Sequence, residues 1–254
     1  MSSDEQTGKL LEAIEALPLG ETRVMEICGT HTMAIARSGI RNLLPGQVRL
    51  LSGPGCPVCV TTPEDIDTVL DLSMEKDVVL TSYGDMLRVP GSVRGDSLLR
   101  RKALGADVRI VYSPVDALDI AAQEPGKQVV FLGVGFETTA PGTAAAVLSA
   151  KERGLKNFSL LSMLKSVEPA LRGLMETDDF SVDGFLCPGH VATIIGEEGF
   201  QFLPEEYGMP GVISGFEPEE ILAAVYLLLK QIAEGDTKIQ NAYPRAVRPE
   251  GNPL

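Results

Sequence analysis

The sequence has 254 residues and is 44% hydrophobic, so it can bury a sizeable core. Its formal net charge of −13 argues against nucleic acid as a partner, because affinity for phosphates depends on Lys and Arg. No apolar run approaches the roughly 18 residues that a membrane span needs, and the first residues lack the basic and apolar regions of a secretory signal. We therefore expect a cytoplasmic protein with no membrane segment, whose four cysteines are better explained as catalytic, redox-active or metal-binding than as structural disulfides.

Helices and strands alternate along most of the chain. Helical periodicity appears first over residues 5–17 and ends at Pro18 and Gly20. The predicted strands are residues 23–27, 48–52, 78–81, 108–112, 129–132, 158–162, 184–186 and 211–214. The predicted helices between and after them are residues 31–38, 63–73, 96–104, 115–123, 141–153, 168–176, 191–195 and 218–234. Strands separated by helices are typical of βαβ units, and hence of parallel sheets covered on both faces.

Eight strands can form one closed barrel or two open sheets. The rhythm of strands and helices is disturbed between Tyr83 and Asp96 and again at residues 124–126, which favours two sheets. The predicted fold is therefore α/β, with two domains that each contain an open parallel four-stranded sheet flanked by helices and that face a shared cleft. We assign a first α/β domain to residues 1–124, a second to residues 125–240, and a C-terminal tail or linker to residues 241–254.

The segment from Met25 to Pro63 holds three of the four cysteines. Cys56 and Cys59 form a C-x-x-C pair just ahead of Thr62, the predicted N-cap of a helix that has Pro63 in its first turn. The partial positive charge of a helix N-terminus stabilises thiolates, as a reactive dithiol requires. A reversible disulfide or metal ligation is favoured over two inert buried thiols.

Cys28 and His31 follow the first predicted strand and flank Gly29, which permits close approach of the backbone. A lone cysteine behind a strand is often a core residue, and a single histidine is often structural. The spacing also suits nucleophilic catalysis by a Cys–His pair, or metal binding by Cys28 and His31. The residues alone leave these alternatives open.

Two later loops carry further candidates. His190 opens a short predicted helix after Cys187, and the sequence does not decide whether this histidine is structural, while Cys187 is assigned to the core. Glu137, Thr138 and Thr139 precede a predicted helix, either as N-capping groups or as ligands for an anion or other polar cofactor. Because every cysteine and histidine follows a predicted strand, all of these groups are expected in the shared cleft.

Six runs of residues resemble the hydrogenase maturation factor HypD family, and they occur in the family's order along nearly the whole chain. The runs are CGTHT (28–32), SGPGCPVCVT (52–61), YGDMLRVPG (83–91), GFETTAP (135–141), CPGHVATIIG (187–196) and QNAYPRAVRPEGNP (240–253). The resemblance implies a scaffold that acts with the small partner HypC in assembling the Fe(CN)2CO unit of NiFe hydrogenases, with cyanide delivered by a HypE–HypF complex. It also implies a further C-terminal region with a 4Fe–4S cluster, whose cysteine ligands are absent from these residues.

The resemblance assigns roles to individual positions. Cys28 and His31 become candidates for handling iron or cyanide, and Cys56 with Cys59 becomes a redox dithiol. Glu137, Thr138, Thr139 and His190 become residues of the cleft. Two other functions remain open: a freestanding thiol–disulfide oxidoreductase, in which Cys56 attacks and Cys59 resolves, and a module whose cysteines bind a structural metal.

Overall fold

The structure is a computed structural model that describes residues 3–253, and Met1, Ser2 and Leu254, which the predicted first domain and tail include, lie outside the described residues. Within the described range the helices are α1 (Ser3–Glu15), α2 (Gly29–Ser38), α3 (Ile40–Leu43), α4 (Pro63–Ser73), α5 (Leu98–Ala103), α6 (Pro114–Gln123), α7 (Ala140–Glu152), α8 (Val167–Met175), α9 (Gly189–Ile195), α10 (Phe202–Tyr207) and α11 (Pro218–Glu234). The strands are β1 (Thr22–Glu26), β2 (Val48–Ser52), β3 (Val78–Ser82), β4 (Val108–Ile110), β5 (Gln128–Gly135), β6 (Phe158–Leu164), β7 (Gly184–Pro188), β8 (Gly211–Ser214) and β9 (Ile239–Asn241). Short 3₁₀ helices cover Gly84–Arg88 and Glu198–Phe200.

The predicted α/β fold with two parallel sheets is confirmed. One sheet has the order β2-β1-β7-β8-β9 and the other the order β4-β3-β5-β6, and neighbouring strands are parallel throughout. The two sheets share one scheme. The first strand of each sheet, β1 or β3, has the next strand in sequence on one side and a later strand, β7 or β5, on the other, so the strand order reverses there. In an open parallel sheet such a reversal marks where ligands bind.

The structure corrects the predicted division of the chain. The first compact unit combines residues up to Cys56 with those from Val167 onward, and the second unit is the continuous segment Pro57–Ser166. The first sheet has five strands rather than four, and β3 pairs with β4 and β5 in the second sheet rather than joining the sheet of β1. Local periodicity predicts strands but carries no information on which distant strand completes a sheet.

In the first unit, α1, α2 and α11 pack on the five-stranded sheet. The core on this side joins Val24 of β1, Leu186 of β7 and Val212 of β8 to apolar side chains of α11, among them Leu228. These strand positions are almost entirely buried, as expected for central strands of a parallel sheet.

In the second unit, alternate residues of the strands face opposite layers of helices. Leu80 and Leu132 pack with α4 and α5, whereas Val79 and Phe131 pack with α6. This separation follows from the two-residue period of a strand. Both faces of the sheet are therefore covered, as predicted.

The predicted tail is part of the first unit. Asn241 is the last residue of β9, which pairs with β8, and Val247 is buried. The Asn252 amide donates a hydrogen bond to the Ile194 carbonyl of α9 (3.0 Å). The described part of the predicted tail or linker is thus packed along the first unit. No helix within residues 3–253 is both long and apolar enough to cross a bilayer.

Candidate functional site

Four loops of the first unit leave the carboxyl ends of neighbouring parallel strands. They follow β2, β1, β7 and β8, and the strand order reverses between β1 and β7. The loop after β1 carries Cys28, and His31 follows in the first turn of α2. The loop after β2 leads to Cys56, and the end of β7 leads to His190. Local apolar runs thus direct three motifs with sulfur or imidazole groups to one edge of one sheet.

The loops after β1 and β2 lie side by side, as predicted. The Gly29 amide donates to the Gly55 carbonyl (3.1 Å), and a Cβ atom added to Gly29 would lie 3.9 Å from the Cβ of Cys56. A Cβ atom on Gly55 would overlap the backbone of Cys28, so this approach requires glycine. Cys28 and Cys56 are consequently neighbours.

A buried carboxylate fixes the backbone around Cys28. Glu26 is 0% exposed, and its carboxylate accepts hydrogen bonds from the Cys28 amide (3.1 Å) and from the Thr32 hydroxyl (2.6 Å). Burying a carboxylate is costly unless hydrogen bonds and nearby positive potential compensate it. Cys28 is the N-cap residue of α2, so the helix N-terminus contributes such a potential at this loop.

The Cys28 thiol is held in its protonated form. Burial raises the pKa of Cys28, with a smaller contribution in the same direction from the charge of Glu26, and the amides of Thr30 and His31 offset part of this rise. The side chain is only 9% exposed. Burial and the charge of Glu26 both disfavour a bare thiolate. A positive centre bound to the sulfur in place of the proton would offset both effects.

His31 presents one bound and one unpaired ring nitrogen. Its imidazole is 0% exposed, and Nε2 lies 2.8 Å from the Gly215 carbonyl oxygen. A carbonyl only accepts hydrogen bonds, so Nε2 carries the proton and Nδ1 carries a lone pair. Nδ1 is buried without a hydrogen-bond partner among the described residues. Burial lowers the pKa of His31 to about 4, so the ring is neutral at pH 7.

The two histidines of the chain share an aromatic neighbour. The Phe216 ring lies 4.8 Å from the His31 ring and 3.9 Å from the His190 ring, measured between centroids. The Tyr243 ring is nearly perpendicular to Phe216, with 6.1 Å between the centroids. His190 is largely exposed, but the part of its ring that is covered is enough to lower its pKa. The structure thus brings His190 and His31 to one aromatic group.

Cys187 lies away from this chemistry. It is 0% exposed within β7, and burial strongly raises its pKa. A Cβ atom added to Gly211 would lie 3.2 Å from the Cys187 sulfur, which shows how tightly β8 packs beside it. Its assignment to the core is confirmed.

The C-x-x-C pair lies where the chain passes from the first unit into the second. Cys56 is half-buried in the first unit, whereas Cys59 is exposed in the second, within the turn formed by residues 57–60. The predicted helix start behind the pair is confirmed, because the Thr62 hydroxyl accepts from the Asp65 amide (3.2 Å) and Pro63 opens α4.

Glu137, Thr138 and Thr139 lie in the second unit, whereas His190 belongs to the first. They follow β5, beside the reversal of strand order between β3 and β5. Thr139 is the N-cap residue of α7, but its hydroxyl makes no capping bond, so of the two alternatives capping by Thr139 is not found. A Cβ atom on Gly135 would overlap the Thr139 side chain, which therefore packs against the strand end instead.

The described side chains do not complete a metal site by themselves. Within residues 3–253, no cluster of three or more His, Cys, Asp and Glu groups is arranged to hold a metal ion. Cys28 and His31 supply at most a thiolate and an imidazole nitrogen, so a bound metal would need ligands from elsewhere.

Sequence reasoning missed two contributors to the site. Glu26 carried a signal, since it is a charged residue in the otherwise apolar end of a strand. Phe216 carried none, because a phenylalanine after a strand is most simply read as core, and its contact with two histidines depends on the pairing of β7 with β8 and β1.

Comparison with known proteins assigns the chain to a family. The family model described as "HypD: Hydrogenase formation hypA family" matches residues 5–254. The chain is 45% identical over 244 residues to hydrogenase maturation factor HypD2 of Bradyrhizobium diazoefficiens, covering 94% of this chain and 64% of the relative. It is 44% identical over 232 residues to hydrogenase maturation factor HypD of Escherichia coli, covering 91% of this chain and 62% of the relative.

A comparison with solved structures adds no structural argument. It finds a chain named "XylFII molecule" at 12% identity and a TM-score of 0.19, covering 88% of this chain and 97% of the other. The chain also spans only 62% to 64% of the length of the two relatives above. Because the family model matches almost all of the sequence and both relatives exceed 40% identity, the chain belongs to the HypD family.

Proposed function

We propose that this chain acts in the maturation of NiFe hydrogenases, as a scaffold on which the Fe(CN)2CO unit is assembled and from which it is transferred. Its relatives are named hydrogenase maturation factors. The observation that carries the proposal is the convergence of Cys28, Cys56 and His31 at the carboxyl edge of one parallel sheet, beside the reversal of strand order.

The donor set suits an iron centre that brings most of its own ligands. The Cys28 thiolate and the lone pair on His31 Nδ1 are soft and borderline donors of the kind that low-spin iron accepts. Two cyanides and one carbonyl supply three further ligands, so the cargo does not need a complete protein site. The raised pKa of Cys28 makes binding dependent on loss of the thiol proton, so iron uptake releases a proton.

The C-x-x-C pair is proposed as the redox element of the scaffold. Conversion of the two thiols to a disulfide releases two electrons and two protons, which an external disulfide takes up as it is reduced to two thiols. The exposure of Cys59 favours it, rather than Cys56, as the thiol that first meets an external disulfide. This reverses the order of attack expected from the sequence.

Partners follow from the same proposal. A small HypC-like protein would share or receive the iron unit, and a HypE–HypF-like complex would donate cyanide. Glu137, Thr138 and Thr139 are proposed to bind polar groups at the corresponding edge of the second unit. We expect these reactions in the cytoplasm, where thiols are kept reduced. The 4Fe–4S cluster expected of the family would depend on residues other than the four cysteines of this chain.

Complementation tests the proposal with a matched pair of cysteines. A chimera in which this chain replaces the corresponding part of the Escherichia coli relative is expressed in a strain that lacks that relative, and hydrogenase activity is measured. Cys28→Ala is expected to lower activity by at least about 100-fold, because it removes a proposed ligand of the iron. Cys187→Ala removes an equally buried thiol from the same unit and is expected to retain activity. Full activity of Cys28→Ala would contradict the proposal.

A thiol–disulfide oxidoreductase is the second candidate, and the exposed Cys59 ahead of the N-terminus of α4 is the observation that favours it. This function predicts turnover of a generic protein disulfide by the purified chain, abolished in Cys59→Ser and unaffected in Cys28→Ala. Turnover no faster than with glutathione alone would rule it out.

A further inference from the structure

We propose that Phe216 is a positioning residue that holds the imidazole of His31 in one orientation and one tautomer, and that couples His31 to His190. The role rests on the proposed function, because it concerns how His31 is presented to the cargo. The Phe216 ring is half-buried and has no atom that could bind a metal, so it acts only through its contacts with other side chains.

The contacts of Phe216 select the orientation of both imidazoles. Its ring stacks on His190 at an interplanar angle of 22° and lies tilted against His31 at 31°. The preceding residue, Gly215, provides the carbonyl that accepts from His31 Nε2 at 2.8 Å. The three-residue loop between β8 and α11 therefore supplies both the aromatic contact and the hydrogen-bond acceptor for His31.

The loop is itself held from two sides. The Glu220 carboxylate accepts from the Phe216 amide (2.9 Å) and from the Glu217 amide (3.2 Å), which caps α11. Arg245 donates to the same carboxylate (2.6 Å), and its guanidinium lies 4.8 Å from the centre of the Tyr243 ring. The Tyr243 ring in turn contacts Phe216 in a nearly perpendicular arrangement. The segment after β9 thus supports the position of Phe216.

The consequence is a histidine with a defined lone pair. With Nε2–H directed at the Gly215 carbonyl, Nδ1 must be the unprotonated nitrogen. Removal of the Phe216 ring would open space beside His31, let water reach the ring, and allow the other tautomer. Only the tautomer with a bare Nδ1 offers the buried lone pair to a bound group.

Nuclear magnetic resonance of the imidazole nitrogens tests this role, since the chain has just two histidines. The purified 254-residue protein is expected to show His31 as a single tautomer protonated at Nε2. Phe216→Leu is expected to give nitrogen shifts averaged between tautomers and to move the His190 resonances as the ring-current effect is lost. Phe216→Tyr keeps an aromatic ring and is expected to restore both signals.

The matched control is Phe180→Leu, which removes another half-buried ring from the same unit, 6.2 Å from Phe185 and outside the site. It is expected to leave both histidines unchanged. In the complementation assay, Phe216→Leu is expected to lower activity at least about tenfold, and Phe216→Tyr and Phe180→Leu are expected to retain it.

The outcomes separate this role from the proposed function. An unchanged His31 tautomer in Phe216→Leu overturns the positioning role, whatever the activity. Equal spectral changes in Phe180→Leu also overturn it, since they would indicate general loosening. Full maturation by Phe216→Leu together with an inactive His31→Ala overturns it as well. Full activity of His31→Ala would instead contradict the place of His31 in the proposed function.

Discussion

The imidazole of His31 has no contact with solvent, and burial lowers its pKa from 6.5 to about 4. In the unfolded chain the same group takes up a proton near pH 6.5, so acid favours unfolding. The stability that depends on neutral His31 is therefore complete above pH 6.5 and is lost as the pH falls toward 4. Between pH 7 and pH 5 the loss amounts to about 2 kcal/mol. Urea denaturation at both pH values, followed by circular dichroism, measures it.

His31→Gln provides the comparison, because glutamine does not titrate and its amide can still donate to the Gly215 carbonyl. The difference in unfolding free energy between pH 7 and pH 5 is expected to shrink in this variant. His190→Gln removes the exposed histidine and is expected to keep most of the difference. Carboxylates held by ion pairs, such as Glu220, titrate at lower pH and contribute little in this range. Equal acid sensitivity of His31→Gln and the parent chain would contradict the assignment.

Among single residues, chemistry that a side chain carries by itself can be predicted from sequence, whereas chemistry conferred by neighbours cannot. Cys28, Cys56 and His31 are recognisable as reactive types beside glycine at strand ends, and the structure places Cys56 beside Cys28. The tautomer of His31 depends on the Gly215 carbonyl, and one face of its surroundings on Phe216, almost 200 residues away along the chain. No local pattern contains that contact.

The segment after β9 is held against the helix α9 by direct approach of two backbones. Gly196 and Gly251 have φ angles of 76° and 78°, and a Cβ atom on Gly251 would overlap the Ile194 carbonyl. Gly251→Ala therefore adds a clash to the usual cost of a left-handed conformation. We expect amide hydrogens of residues 242–252 to exchange at least about tenfold faster in this variant. This corresponds to a loss of about 1.4 kcal/mol of local stability. Hydrogen exchange with mass spectrometry measures the effect.

Gly208→Ala is the matched control for this element. Gly208 also has a positive φ, of 60°, but a Cβ atom there would meet nothing within 4 Å. The variant shares the conformational cost, about 1 kcal/mol, without the clash. Its exchange over residues 242–252 should match the parent chain, and faster exchange in both variants would show that the close approach is unimportant.

Elements with strong periodicity are predictable, and weak ones are not. All eight predicted strands are present, because buried parallel strands are nearly continuous apolar runs. β9 was missed because it has three residues, Ile-Gln-Asn, two of them polar. It exists because β8 offers an unpaired edge, and that edge is a tertiary property. The same reason explains why the tail was predicted as a linker.

At the scale of the molecule, the second unit is an uninterrupted stretch of chain placed between β2 and α8 in the sequence. It contains β3 to β6, which complete one sheet, and hydrophobic clusters on both faces of that sheet. The first unit, by contrast, needs β1 and β2 from one side of this stretch and β7 to β9 from the other. Apolar periodicity is alike in both units, so sequence order suggested a boundary near residue 125 that the strand pairings do not follow.

This arrangement predicts which piece of the chain folds alone. Residues 57–166, a segment of 110 residues, keep every strand pairing of their sheet and are expected to unfold cooperatively in urea. Residues 15–124 have the same length but separate β3 from β5 and β1 from β7, so their central strands lack a partner on one side. A buried strand edge leaves backbone groups unpaired, and we expect this second fragment to remain unfolded or to aggregate. Cooperative unfolding of the second fragment alone would instead support the boundary suggested by sequence order, since it would mean that β1 to β4 form a self-sufficient core.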